Sequence, residues 1–101
     1  MRVVMHRDAK WFMDEKEKKN YPLFCELERV IYQISVWSLF GTLLQQPFRK
    51  YKVKRVVVKY DKSDYRILYS VQGDKLYVFV VWGRENVYDF DINIVKHLLQ
   101  M

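Results

Sequence analysis

The sequence predicts an α+β domain in which two N-terminal helices pack on one face of a curved antiparallel sheet and a short helix closes the chain. Three observations carry that expectation. From Leu23 onward, apolar residues recur at i, i+3, i+4 and i+7, the mark of a one-sided helix. Two runs rich in β-branched and aromatic residues, Tyr65 to Val71 and Leu76 to Trp82, flank the polar break Gln72-Gly73-Asp74-Lys75, a hairpin signal. The helical patterns precede the strand run instead of alternating with it, which segregates helices from sheet.

Taken in order, Arg2-Val3-Val4-Met5-His6 is short and β-prone and reads as a first strand. Asp8 stands where an N-cap belongs, ahead of Ala9, Phe12 and Met13 at helical spacing. This first helix runs about three turns into the mixed-sign stretch Asp14 to Lys19, read as a solvated face. Asn20 and Pro22 break the chain and start a second helix, since proline at a first helical position sacrifices no hydrogen bond. Its apolar set is Leu23, Phe24, Leu27, Val30, Ile31, Ile34 and Trp37, and Gly41 is the expected C′ residue. Core packing is the reading preferred for this stripe over a partner-binding helix.

After the connector Leu43 to Pro47 comes the most basic segment: Arg49, Lys50, Lys52, Lys54, Arg55 and Lys59, interleaved with Tyr51, Val53 and Val56 to Val58. Read as a strand, it sets Lys50, Lys52 and Lys54 on one face by period two, and such a row of cations can track a phosphate backbone. Lys50, Lys52, Lys54 and Arg55 are therefore the candidate nucleic-acid contacts. The competing reading is an edge strand that lysines protect from aggregation. Asp61-Lys62-Ser63-Asp64 turns the chain into the hairpin, bringing Lys59 and Arg66 across from each other. Asp91 then caps a last helix through Ile92, Ile94, Val95, Leu98 and Leu99.

Composition narrows the function. A chain of 101 residues that is half apolar forms one domain with one modest core. Its net charge of +6 favours an anionic partner, with nucleic acid foremost. The single cysteine, Cys25, excludes an internal disulfide and reads as a small buried helix residue. Two histidines at opposite ends offer no metal-ligand spacing, three glycines form no phosphate loop, and no serine has a histidine beside it in sequence. Neither metal nor cofactor is expected. Met1 to Lys10 alternates charge and hydrophobe too finely for a secretory leader, and no apolar run reaches the roughly 18 residues of a membrane span. The expectation is a cytoplasmic protein with no membrane partner.

Metal-free phosphodiester chemistry remains. RNA brings its own nucleophile, the 2′-hydroxyl, so a protein needs only a base, one or two cations and a proton donor. The run Y-R-I-L-Y-S-V, the apolar strand after it and the ending G-R-E-N-V-Y resemble the C-terminal half of toxins of the RelE/ParE superfamily. Val3 to Lys10 is similar to that family's first strand running into its first helix. The resemblance implies the same element order and a ribosome-dependent, metal-free mRNA endoribonuclease neutralised by a cognate antitoxin. It leaves room for a homodimer. By position in these motifs, Arg66 would stabilise the transition-state phosphate, and Arg84 would do likewise or position the scissile nucleotide. Tyr88 would stack on a base or transfer a proton, and Lys59 would act as the base.

Two departures keep a second reading in play. Val57 stands where the ribonuclease branch has a further lysine, and Asp89, not histidine or glutamate, follows Tyr88. Some members of the superfamily act on DNA gyrase without cleaving RNA, so a gyrase-directed toxin or a non-catalytic binding module is the alternative. In purely structural terms, Arg66 would be a sheet-face arginine paired with Asp61 or Asp64, and Tyr88 a core aromatic.

Overall fold

The computed structural model describes residues 1–37, 41–83 and 92–99. The elements follow in the order β1 (Arg2–Met5), α1 (Arg7–Lys19), α2 (Tyr21–Val36), β2 (Thr42–Leu43), a 3₁₀ turn (Phe48–Tyr51), β3 (Lys54–Tyr60), β4 (Ser63–Gln72), β5 (Lys75–Gly83) and α3 (Ile92–Leu99). The architecture is α+β, as expected. The sheet order is β1-β5-β4-β3-β2. β2 through β5 pair antiparallel, whereas β1 joins β5 in parallel, because the two helices between them return the chain to its starting direction.

α1 and α2 form a helical hairpin over one sheet face. Asn20 both ends α1 and caps α2, its side-chain oxygen accepting the Leu23 N–H at 3.4 Å. Leu23, Leu27, Ile31 and Ile34 are buried against Val58, Ile67, Tyr69, Val78 and Val81 from the sheet. That is the stripe read from sequence, with one correction: Trp37 sits at the C-cap and is 65% exposed, because α2 stops at Val36 short of the turn that would bury it. Cys25 is also exposed, not buried; it falls between the core positions Leu23 and Leu27, on the outward face.

The N-cap of α1 is His6, not Asp8. Its Nδ1 accepts the Asp8 N–H at 3.2 Å, which the imidazole does only when that nitrogen is unprotonated. Burial holds the His6 pKa below its ordinary value near 6.5; Asp8 opposes the shift, and Arg7 and His97 add to it. The folded state thus favours neutral His6. Its contribution to stability is complete above the ordinary pKa and is lost as pH falls through the lowered one. The His6→Asn variant keeps a capping acceptor and should show a flatter loss of melting temperature between neutral and mildly acid pH than the wild type, measured by thermal denaturation across that range.

The opposite sheet face carries a second core. Val95 and Leu98 of α3, with Val53, cover Leu68, Tyr77, Phe79 and Val80, and Leu44, Phe48 and Tyr51 pack at the margin. This splits the face in two. Its Gln72 end meets the last turn of α3 and the 3₁₀ turn, and its other end carries Lys59 and Arg66.

The two hairpin turns differ in how well their residues suit them. Gln72 pairs with Lys75 and leaves Gly73-Asp74 as the loop, with Gly73 at φ +63°, which glycine adopts freely. Tyr60 pairs with Ser63, so the loop is Asp61-Lys62, at φ +52° and +56°. Positive φ at both positions is the type I′ geometry that favours glycine second. The Lys62→Gly variant should therefore be more stable by about 1 kcal/mol, seen as a rise of about 4–8 °C in melting temperature.

Candidate active site

The site is built on β3 and β4. Alternation along β3 turns Val56, Val58 and Tyr60 toward the helical hairpin. Arg55, Val57 and Lys59 consequently face the other way, with Val53. On β4, Asp64 and Arg66 share the face of Leu68. Register then sets the neighbours: Arg66 lies between Val57 on β3 and Trp82 on β5, and Lys59 lies opposite Asp64. Lys59 and Arg66 are on one face, but diagonal to each other, not opposite as the sequence reading had it. That diagonal corresponds to about 7–8 Å between their backbone positions, close enough for two long cations to converge on one phosphate.

Arg66 is the unusual member. Its Nε and Nη1 are buried and have no hydrogen-bond partner among the described residues. The ion pair with Asp61 or Asp64 expected of a merely structural arginine is not formed by these atoms. A buried guanidinium donor without a partner costs stability, and its planar fork matches the oxygens of a phosphate. Lys59 is exposed, and Val57 beside it is 39% exposed. An amine serves as a base only in dry or cationic surroundings, and Arg66 on its diagonal is the cation nearest to Lys59 on this face among the described residues.

Arg84, Tyr88 and Asp91 lie outside the described residues. β5 delivers the chain as far as Gly83, which pairs with Tyr65, the residue next to Arg66.

The basic row of the sequence reading does not exist as a row. Lys50 belongs to the 3₁₀ turn and Lys52 caps it with φ +58°, so period-two alternation does not apply to either. The strand begins only at Lys54, and Lys54 and Arg55 point to opposite faces of it. The cis Gln46–Pro47 bond precedes that turn, and the Val53 N–H closes it on the Phe48 carbonyl at 3.3 Å. β2 covers only the Lys54–Arg55 end of β3, leaving its outer edge unpaired from Val56 on among the described strands. The edge-protection reading of Lys59 thus keeps a structural basis.

Sequence reasoning missed a polar cluster at the other end of β4. Ser70 Oγ donates to the Tyr51 carbonyl at 2.8 Å; Gln72 Nε2 donates to the same carbonyl at 3.2 Å and to Ser70 Oγ at 2.9 Å. The signal was present: Ser70 and Gln72 are polar at period two where the apolar stretch of β4 ends. No group of three histidine, cysteine, aspartate or glutamate side chains able to hold a metal occurs among the described residues. No described helix is long and apolar enough to cross a membrane.

No protein-family model matches the chain, and no curated protein sequence is significantly similar to it.

Proposed function

We propose that this chain is a RelE-like toxin, a cytoplasmic, metal-free endoribonuclease that cleaves mRNA on the ribosome and is held inactive by a cognate antitoxin. The observation that carries the reading is the half-buried Arg66 guanidinium, with two buried donors unpartnered, on the same sheet face as Lys59. In the reaction, the 2′-hydroxyl attacks the adjacent phosphorus as its proton passes to Lys59, the base that the resemblance assigns, and the 5′-oxygen leaves with a proton from Tyr88 or water, giving a 2′,3′-cyclic phosphate and a free 5′-hydroxyl. Arg66 stabilises the charge that builds on the phosphorane oxygens. Arg84 and Tyr88 are assigned their roles by the resemblance alone: phosphate or nucleotide positioning for the first, stacking or proton transfer for the second.

A groove suits the proposed antitoxin. It measures about 720 Å³ between β1 and the helical hairpin, floored by Met5, Met13, Phe24 and Ile31. β1 lies at the sheet edge beside it. The Arg2 and His6 N–H groups bond to β5 side carbonyls, so the N–H and C=O of Val3 and Met5 point to the open edge, where an extended partner segment could pair.

The second reading, a gyrase-directed or purely binding member of the same fold, is favoured by the exposed Val57 where a further lysine would stand. Growth of a host expressing the wild type, Arg66→Ala or Lys59→Ala, with primer extension on its mRNA, separates the two. The ribonuclease reading expects arrest with new cleavages inside translated frames, lost in Arg66→Ala. Arrest with intact mRNA, or no arrest from soluble wild type, would overturn it.

A further inference from the structure

We infer that the cleft between the 3₁₀ turn, the Gln72 end of β4 and the last turn of α3 is a binding subsite for one nucleotide of a single-stranded RNA. It holds about 230 Å³ and is lined by Lys50, Tyr51, Lys52, Gln72, Tyr77 and Leu99. Each wall matches one part of a nucleotide. Tyr51 with Leu99 provides an aromatic and aliphatic surface on which a base of any identity can stack, and the buried Tyr77 closes the floor. Lys50 and Lys52 supply cations for the phosphate; Lys50 Nζ lies over the Tyr51 ring, 5.8 Å from its centroid, so an incoming base shares the ring with this ammonium or displaces it toward the phosphate.

Gln72 adds a fixed acceptor. Both hydrogens of its Nε2 are committed, to the Tyr51 carbonyl and to Ser70 Oγ. The amide is thereby locked, and Oε1 remains to accept an N–H from a base edge. Lys52 is the clearest mark. It is a non-glycine residue held at φ +58°, where glycine would sit without strain, and it lines the cleft.

The cleft is on the sheet face of Arg66, six positions along β4, a separation of about 20 Å in a strand rising ~3.3 Å per residue. A strand of RNA seated here would be anchored several nucleotides from the scissile phosphate. RNA as the polymer rests on the function proposed above; the nucleotide chemistry of the cleft does not.

The test uses the full chain. Backbone amide NMR titrations with each 5′-ribonucleoside monophosphate and with inorganic phosphate are paired with fluorescence anisotropy of a labelled single-stranded oligoribonucleotide. Monophosphates should shift the amides of residues 50–52 and 72 more than phosphate alone does. Lys52→Gly should weaken oligonucleotide binding about 5–10-fold, as expected for one hydrogen bond of ordinary strength, and reduce the salt slope by about 0.7. The same variant should melt about 4 °C higher, because it relieves the backbone strain. Gln72→Glu should weaken binding as well, by setting an anion beside the phosphate.

Silent cleft amides, shifts no larger than phosphate gives, or unchanged affinity in Lys52→Gly would each overturn the subsite. If the cleft is silent while the wild type cleaves RNA and Arg66→Ala does not, only the subsite falls. If the cleft binds nucleotides and no RNA is cleaved, only the ribonuclease reading falls.

Discussion

Replacing Arg66 with methionine should raise the melting temperature and, on the proposed ribonuclease reading, slow RNA cleavage by orders of magnitude. The two effects have one cause. In the free protein, Nε and Nη1 of Arg66 are buried without a partner among the described residues, and each such donor costs about 1–3 kcal/mol. Methionine fills similar volume between Val57 and Trp82 and carries no polar hydrogen, so a net gain of about 1–2 kcal/mol is expected. The same donors would be satisfied only when phosphate oxygens arrive, which concentrates their contribution in the complex and its transition state. On the proposed ribonuclease reading, their loss should lower kcat by about 10²–10³-fold, the effect of removing one preorganised donor at a developing oxyanion. Arg66→Lys keeps the charge and loses the fork, so it should recover little of that. Thermal denaturation and single-turnover cleavage of a ribosome-bound message measure the two halves. A fall in melting temperature for Arg66→Met would identify Arg66 as a structural residue and remove the observation on which the functional reading stands.

The second large effect is expected at Gly41, where no chemistry is involved. Gly41 precedes β2 at φ +91°, and a Cβ built there would collide with the Tyr69 hydroxyl and come within 3.0 Å of the Arg55 carbonyl oxygen. Tyr69 is fully buried, and burial alone pushes its pKa up to about 12. Gly41→Ala thus adds overpacking, about 1–3 kcal/mol, to the strain of an L-residue at positive φ, about 1–2 kcal/mol. A total near 3 kcal/mol or more would consume much of the stability of a domain of this size. Tyr69→Phe should cost about 1 kcal/mol by itself, yet it should recover part of the loss in the Gly41→Ala background by removing the colliding oxygen. Denaturant unfolding of the two single variants and the double variant closes the cycle. Additivity would show that the hydroxyl is not what excludes the methyl group.

Much of the fold was legible because it follows from local periodicity. The Leu23–Ile34 stripe repeats at helical spacing, and burial on the sheet is the only way to remove it from water. Asn20 and Pro22 mark the joint between the helices through side-chain hydrogen bonding and a missing N–H, both readable one residue at a time. The hairpin from β4 to β5 follows from alternation about a glycine turn. For the site, Arg66 was found from its motif, and its face could be counted from Ile67 once β4 was drawn.

Only the tertiary structure decided the rest, because it depends on groups distant in sequence. Which end of each strand is covered depends on α3 returning across β5, and nothing local to Lys59 or Gln72 encodes that return. The basic segment was misread because Pro47 and the 3₁₀ turn interrupt the alternation that assigned Lys50, Lys52 and Lys54 to one face. Gly41 became an obligate glycine through its contact with Tyr69, 28 positions on. Sequence by itself determined the elements and the residue types available for phosphate chemistry. The packing of the sheet determined which of those residues meet, since register and the choice of covered face are set by the total burial of both cores and not by any single stretch of chain.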